Sequence, residues 1–143
     1  MLDAPPADAA LVARLRNVLN GVPGLRLAVL FGSAASGRAR PDSDVDVAVL
    51  AAEPGLDEGT EIHLTRELSL AACRNVDLIR LERVSTLLAW QIATTGVPLI
   101  ERPVGEFARF RARVASEYID FAPALAYYGE IFRRRLIEQG PTR

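Results

Sequence analysis

Residues 30–50, LFGSAASGRARPDSDVDVAVL, are the stretch of sequence that determines the fold. The mostly apolar stretch Leu25–Phe31 leads into it, and its β-forming side chains between glycines are typical of a buried strand. A polar loop over residues 32–43 follows. Residues 44–50 then alternate aspartate with valine before they become wholly apolar, which predicts a second strand with one polar end.

The rest of the chain alternates between helical and strand patterns. We predict a first helix capped by Asp8, helices over about residues 58–73 and 84–95, strands at 75–81 and 97–101, and helix from residue 104 onward. Pro123 should kink or split that last helix, because proline lacks the backbone N–H that a helix interior needs. The pattern predicts an α/β or α+β fold, a small mixed sheet flanked by helices. We divide the chain into a domain over residues 1–101 and a helical extension over 102–143, packed on the same domain.

Composition narrows the possible functions. The chain has 143 residues, about one domain, and all 17 basic residues are arginine. Without lysine, neither Schiff-base chemistry nor a Walker-type phosphate loop is possible. The formal net charge of −1 argues against nucleic acid as a partner, since phosphate backbones are usually bound by a basic excess. No apolar run reaches the roughly 18 residues of a membrane span, and the acidic N-terminus is unlike a secretory signal, so we expect a cytoplasmic protein.

The loop that follows the first strand has the features of an anion site. Gly32 permits backbone torsions closed to other residues and lets a ligand approach the main chain. Ser33 stands at the start of a turn or short helix, where free backbone N–H groups suit an anion and its hydroxyl adds a donor. We therefore expect Gly32 and Ser33 to contact phosphate.

Three aspartates follow in a pattern that predicts metal binding. Asp44 and Asp46 stand at positions i and i+2 of a predicted strand, on one face and about 6.6 Å apart along it. Two such carboxylates repel each other unless a cation bridges them, and Mg²⁺ prefers carboxylate and phosphate oxygens. Asp77, on the next predicted strand, would complete a site for two metal ions. Surface positions at a strand end are the simpler interpretation, but aspartate is depleted in strands and two at this spacing need a reason.

The signature resembles that of the nucleotidyltransferases of the DNA polymerase β superfamily in their minimal, single-domain form. Its pattern of Gly-Ser, ten residues and Asp-x-Asp matches at Gly32, Ser33, Asp44 and Asp46, and the third carboxylate of the superfamily maps to Asp77. Within the superfamily, residues 96–121, GVPLIERPVGEFARFRARVASEYIDF, resemble the MntA-type antitoxins of HEPN/MNT toxin–antitoxin systems.

This resemblance implies a polymerase β-like fold and a specific reaction. The enzyme would transfer AMP from ATP to a hydroxyl, with tyrosine as first candidate, of a cognate HEPN toxin, using two Mg²⁺ ions held by Asp44, Asp46 and Asp77. Many relatives carry an arginine directly after Gly-Ser, where this chain has Ala34. Either Arg38 or Arg40, both in the same loop, would have to replace that phosphate-side cation.

Two other functions remain open at this point. The same fold could mask a toxin sterically, without chemistry, through its aromatic and arginine-bearing tail. It could also be a nucleotidyltransferase for a small molecule or RNA, although 143 residues leave little room for a separate acceptor domain and no basic stripe offers an RNA track.

Overall fold

A computed structural model describes residues 7–139 as four strands and four α-helices. In chain order they are α1 (Ala9–Asn20), β1 (Leu25–Phe31), β2 (Val45–Ala51), α2 (Glu58–Ala72), β3 (Val76–Arg80), α3 (Thr86–Thr95), β4 (Val97–Glu101) and α4 (Glu106–Gln139). Short 3-10 turns follow β1 and β3 at Gly32–Ala34 and Leu81–Arg83. In the described part of the chain, no helix combines the length and the apolar character needed to cross a membrane.

The four strands form one mixed sheet in the order β3-β2-β1-β4. β1 pairs antiparallel with both β2 and β4, whereas β2 and β3 are parallel. The end of β1 and the starts of β2 and β3 therefore lie at the same edge of the sheet. The registers Phe31↔Asp46 and Asp46↔Asp77 identify the residues that meet there.

Each face of the sheet is covered by one pair of helices. The alternation of strand side chains sends Leu30, Val45 and Val47 into a core shared with α1 and α2. The other set of strand residues, including Phe31 and Ala48, packs with residues of α3 and of the first part of α4. Asp46 shares its face with Ala48, so its carboxylate lies on the α3/α4 side.

The start of α4 is fixed to the sheet by polar contacts. The buried Glu106 carboxylate accepts from Arg26 at 2.6 Å and from Arg109 at 3.3 Å. Glu101 on β4 accepts from the backbone N–H of Phe107 at 3.0 Å. These bonds satisfy donors and acceptors that would be costly to bury unpaired, and they set the direction in which α4 leaves the sheet.

The predicted architecture is confirmed, with two local differences. α4 runs unbroken through Pro123, so the expected split is wrong. Pro123 is exposed, and water can bond the helix carbonyl that proline leaves without a donor. The second difference is that β2 begins at Val45, whose N–H donates to the carbonyl of Asn75, so Asp44 is the last loop residue rather than the first of the strand.

Candidate active site

Gly32 makes room for a carboxylate at the end of β1. Its φ is +73°, in the left-handed region that favours glycine. A Cβ placed there would lie 3.4 Å from Cγ of Asp46 and would collide with Oδ2 of the same side chain. Glycine is required here for its torsion and for the close approach of Asp46. The sequence indicated the torsion; the contact with Asp46 appears only in the fold.

The loop between β1 and β2 is held by bonds to its own backbone. The carbonyl of Ser33 accepts from the N–H of Arg38 and from Oγ of Ser36, both at 3.0 Å. The carbonyl of Arg40 accepts from the N–H and the Oγ of Ser43, at 3.1 and 2.7 Å. Two closed turns therefore set the shape of the loop before any ligand is bound.

Arg74 ties this loop to the end of α2. Its Nη1 donates to the carbonyl of Arg40 at 3.0 Å. Arg74 follows Cys73, whose φ of +55° ends α2 in a left-handed turn. Nothing in the local sequence pattern singled out Arg74, because its partner is a backbone carbonyl 34 residues earlier in the chain.

The three aspartates predicted as ligands are electrostatically coupled. Asp46 and Asp77 are register partners on adjacent parallel strands, and Asp44 lies two residues before Asp46. Partial burial raises the pKa of Asp46 above its ordinary value, and the negative charges of Asp77 and Asp44 raise this pKa further. Asp44 and Asp77 are exposed, and Asp46 is partly buried between them and the glycine turn.

The donor set fits a hard divalent cation in its chemistry. Carboxylate oxygens are the ligands that Mg²⁺ prefers, and a bound cation would remove the repulsion that raises the pKa of Asp46. Within residues 7–139, no three side chains of His, Cys, Asp or Glu are already gathered as a metal site. Side-chain rotation of Asp44 and Asp77 is therefore part of forming such a site.

The side chains predicted to bind phosphate lie in the loop between β1 and β2 and are exposed. Ser33 is exposed, in the 3-10 turn that directly follows β1, while the next two residues, Ala34 and Ala35, are buried in the core. The side chains of Arg38 and Arg40 are exposed and have no carboxylate partner among residues 7–139. Both guanidinium groups are therefore free to take an anion.

Comparison with known proteins identifies the same region. The family model described as "Polymerase beta, Nucleotidyltransferase" matches residues 13–103. Protein adenylyltransferase MntA of Shewanella oneidensis is 40% identical over 80 residues, which are 56% of this chain and 57% of the relative. Protein adenylyltransferase MntA of Aphanizomenon flos-aquae is 31% identical over 123 residues, covering 80% of this chain and 82% of the relative. The chain thus spans little more than half of the first relative's length and most of the second's.

Solved structures resemble most of the chain. A crystal structure of a toxin–antitoxin complex with AMP-PNP contains a chain with a TM-score of 0.71 and 31% identity, covering 85% of this chain and 98% of that one. A chain in the structure of tri-AMPylated Shewanella oneidensis HEPN toxin in complex with MNT antitoxin has a TM-score of 0.66 and 28% identity, over 85% of this chain and 96% of that one.

Proposed function

Because the chain belongs to the polymerase beta nucleotidyltransferase family and to its MntA branch, we propose that it is a protein adenylyltransferase antitoxin. It transfers AMP from ATP to a hydroxyl of a cognate HEPN toxin, with tyrosine as the first candidate. Relatives named adenylyltransferase, one toxin–antitoxin complex with AMP-PNP and one with a tri-AMPylated toxin support this activity and this partner. We place the reaction in the cytoplasm.

One observation in the chain itself carries the proposal. Asp46 stands between Asp77, its register partner, and Gly32, whose missing side chain leaves space for the Asp46 carboxylate. A strand-end aspartate with only a structural role would not need a glycine at a left-handed turn beside it. This arrangement supports a site in which Asp44, Asp46 and Asp77 act on one substrate.

We propose that Asp44, Asp46 and Asp77 hold two Mg²⁺ ions. When bound, these ions supply charge neutralisation of the triphosphate and a lower pKa for the attacking hydroxyl. Asp77 would hold the second of these ions or accept the proton of that hydroxyl. The hydroxyl oxygen then bonds to the α-phosphorus of ATP, the bond from that phosphorus to the bridging oxygen breaks, and pyrophosphate leaves.

The loop after β1 would bind the phosphates of ATP. Gly32 lets a phosphate approach the backbone, and the exposed Ser33 hydroxyl donates to a phosphate oxygen. Either Arg38 or Arg40 would supply the cation that many relatives carry directly after Gly-Ser. We further propose that residues 1–101 form the nucleotidyltransferase domain and residues 102–143 its helical extension.

The first experiment measures AMP transfer to the cognate toxin and its dependence on Mg²⁺. Purified wild-type protein should transfer label from α-³²P-ATP to the cognate toxin in the presence of Mg²⁺, and EDTA should stop the transfer. The Asp44→Asn variant, in which an exposed loop residue is changed, should fold normally and lose transfer. Undiminished transfer by this variant, or in EDTA, contradicts the metal-dependent reaction.

The same variant separates catalysis from masking. At matched expression in cells, Asp44→Asn should fail to neutralise the toxin if AMP transfer is the mechanism. Asp42→Asn is the matched control, because it changes an exposed aspartate of the same loop outside the proposed metal site. Full protection by both variants would instead support steric masking.

A further inference from the structure

The second half of α4 carries an apolar stripe that nothing in the described chain covers. The first half buries Phe107, Phe110 and Val114 against the sheet and α3. Tyr118 stacks on Trp90 of α3, with ring centroids 4.1 Å apart. After Tyr118, large apolar side chains become exposed: Tyr128 and Phe132 are 67% and 65% accessible. The helix therefore continues beyond the body of the protein with its apolar residues uncovered.

The exposed stripe continues the buried one along the same line of the helix. At about 100° per residue, Phe121, Leu125, Tyr128 and Phe132 fall within an arc of roughly 60°. Phe107, Phe110 and Val114 fall within that same arc. Spacings of three and four residues over this length are those of a seam that packs against another helix. The occupant indicated by the spacing is therefore an α-helix.

A packing partner would stabilise this part of α4. It contains Pro123, which removes one helix hydrogen bond, and Gly129, which favours the helix less than alanine does. Isolated helices of this length are marginal in water even with favourable residues. A second helix along the seam would supply the missing stabilisation.

The charges beside the seam favour a second copy of the same helix. Glu117 and Arg135 project on one flank of the stripe, separated by 18 residues, so that both fall in nearly the same direction. Glu117 makes only a long contact to Arg113, at 3.9 Å, and Arg135 has no carboxylate partner among residues 7–139. In an antiparallel pair of identical helices, the same flank of each helix faces its partner. A negative charge at one end of this flank then meets the positive charge at the other end of the second copy's flank.

We propose that the protein self-associates through α4 as an antiparallel, two-fold symmetric helix pair. Phe121 packs opposite Phe132 of the second copy, Leu125 opposite its Tyr128, and Glu117 beside its Arg135. The paired segments are about 30 Å long. An interface of this length lies at the low end of the sizes of stable complexes, so the dimer dissociates on dilution, with a Kd on the order of micromolar.

Sedimentation velocity of the full-length protein alone tests this, from about 1 to about 200 µM. The wild type should shift from monomer to dimer over this range. Phe132→Glu should stay monomeric, and Ile137→Glu should dimerise as the wild type does. Ile137 is the matched control because it is 74% exposed in the same part of the helix but points about 150° away from the seam. The Trp90–Tyr118 stack gives a near-ultraviolet circular dichroism signal that should be unchanged in both variants.

A charge-reversal cycle tests the antiparallel register. Glu117→Arg and Arg135→Glu should each weaken the dimer about tenfold, and the double variant should recover most of the loss. A monomeric wild type, equal dissociation by Phe132→Glu and Ile137→Glu, or no recovery in the double variant overturns the proposal. If the wild type is monomeric while Phe132→Glu lowers binding to the cognate toxin, the seam is a toxin-binding surface and self-association is wrong.

Discussion

Asp46 is the direct register partner of Asp77 across the parallel strands β2 and β3. Alternation along the strands puts both carboxylates on the same face of the sheet, and that of Asp46 also lies next to Gly32. Partial burial raises the pKa of Asp46, and repulsion from the neighbouring carboxylates raises this pKa further. Without a cation, these charges destabilise the folded chain. The carboxylates proposed to bind metal therefore lower the stability of the metal-free protein, as is common at functional sites.

Asp46→Asn should stabilise the metal-free protein at neutral pH. A carboxyl whose pKa is raised on folding adds stability below its unfolded pKa of about 3.9 and loses that contribution as pH rises through the folded value. At pH 7 the ionised Asp46 therefore opposes folding, and a neutral amide of the same shape does not. Denaturant titrations should show a higher unfolding midpoint for the variant at pH 7, with the difference shrinking toward pH 4.

Two controls make that prediction specific. Asp42→Asn changes an exposed aspartate outside the carboxylate cluster and should leave the midpoint at pH 7 unchanged. Added Mg²⁺ should stabilise the wild type and not Asp46→Asn. A lower midpoint for Asp46→Asn at pH 7 would contradict the view that these charges repel each other in the folded state.

Gly32→Ala should strongly reduce transfer while costing no more stability than a comparable glycine substitution. Gly24 has a similar φ of +81° but open space around its Cα, so Gly24→Ala measures the left-handed strain alone, about 1–2 kcal/mol. At Gly32 the added methyl also displaces the Asp46 carboxylate, which can move because it ends a side chain. We expect similar midpoints in both variants, and loss of AMP transfer on the order of 10²-fold only in Gly32→Ala.

Equal activity of the two glycine variants would contradict this assignment. In that case the approach of Asp46 to the turn would have no role in the reaction. A much larger loss of stability in Gly32→Ala would mean that the carboxylate cannot move and that Gly32 is mainly structural.

The sequence was sufficient to predict the strands and helices that bury apolar side chains. It was also sufficient to predict that the candidate site lies where the first strand ends and the second begins. Leu25–Phe31 matches the predicted first strand, because a short apolar run between glycines has one stable environment. Asp77 was expected on the strand after Asp46, but the pairing of the two as register partners appears only in the fold. The aspartate cap of the first helix was also predictable, since Asp8 accepts from the N–H of Ala10 at 2.9 Å.

Features that depend on contacts between distant segments were not predictable in this way. The bond from Arg74 to the carbonyl of Arg40 links residues whose types do not indicate a pair. Pro123 was expected to interrupt the last helix, but its exposed position tolerates the lost hydrogen bond. At Pro123, the helical turns on either side outweigh the tendency of proline to end a helix. The role of Arg74 depends on where the fold places it, which its local sequence does not indicate.

Replacement of the loop arginines should identify the cation of the phosphate site. If one of Arg38 and Arg40 binds the triphosphate, its change to alanine removes a charged hydrogen bond worth about 1.5–3 kcal/mol. Calorimetric titration with Mg·ATP should then show affinity about tenfold or more lower for that variant, and affinity close to the wild type for the other. Ser33→Ala should show a loss of similar size. Unchanged affinity in both arginine variants would mean that this loop supplies no cation.

Asp77→Asn should separate substrate binding from chemistry. Asp44 and Asp46 can hold the ion that accompanies the triphosphate by themselves, since phosphate oxygens complete its ligands. Asp77 reaches the site from the neighbouring strand and is exposed, so it is free to accept the proton of an incoming hydroxyl. A tyrosine hydroxyl has an ordinary pKa of about 10 and needs such an acceptor at neutral pH.

The variant should therefore bind Mg·ATP within a few-fold of the wild type but transfer AMP slower by on the order of 10²-fold or more. Calorimetric titration and a single-turnover transfer assay on the same preparation measure the two effects. Raising the pH should partly restore transfer by Asp77→Asn, because ionised acceptor becomes more abundant as pH approaches 10. If binding and transfer fall together, Asp77 is a shared metal ligand rather than the base. If neither falls, Asp77 lies outside the reacting site despite its register with Asp46.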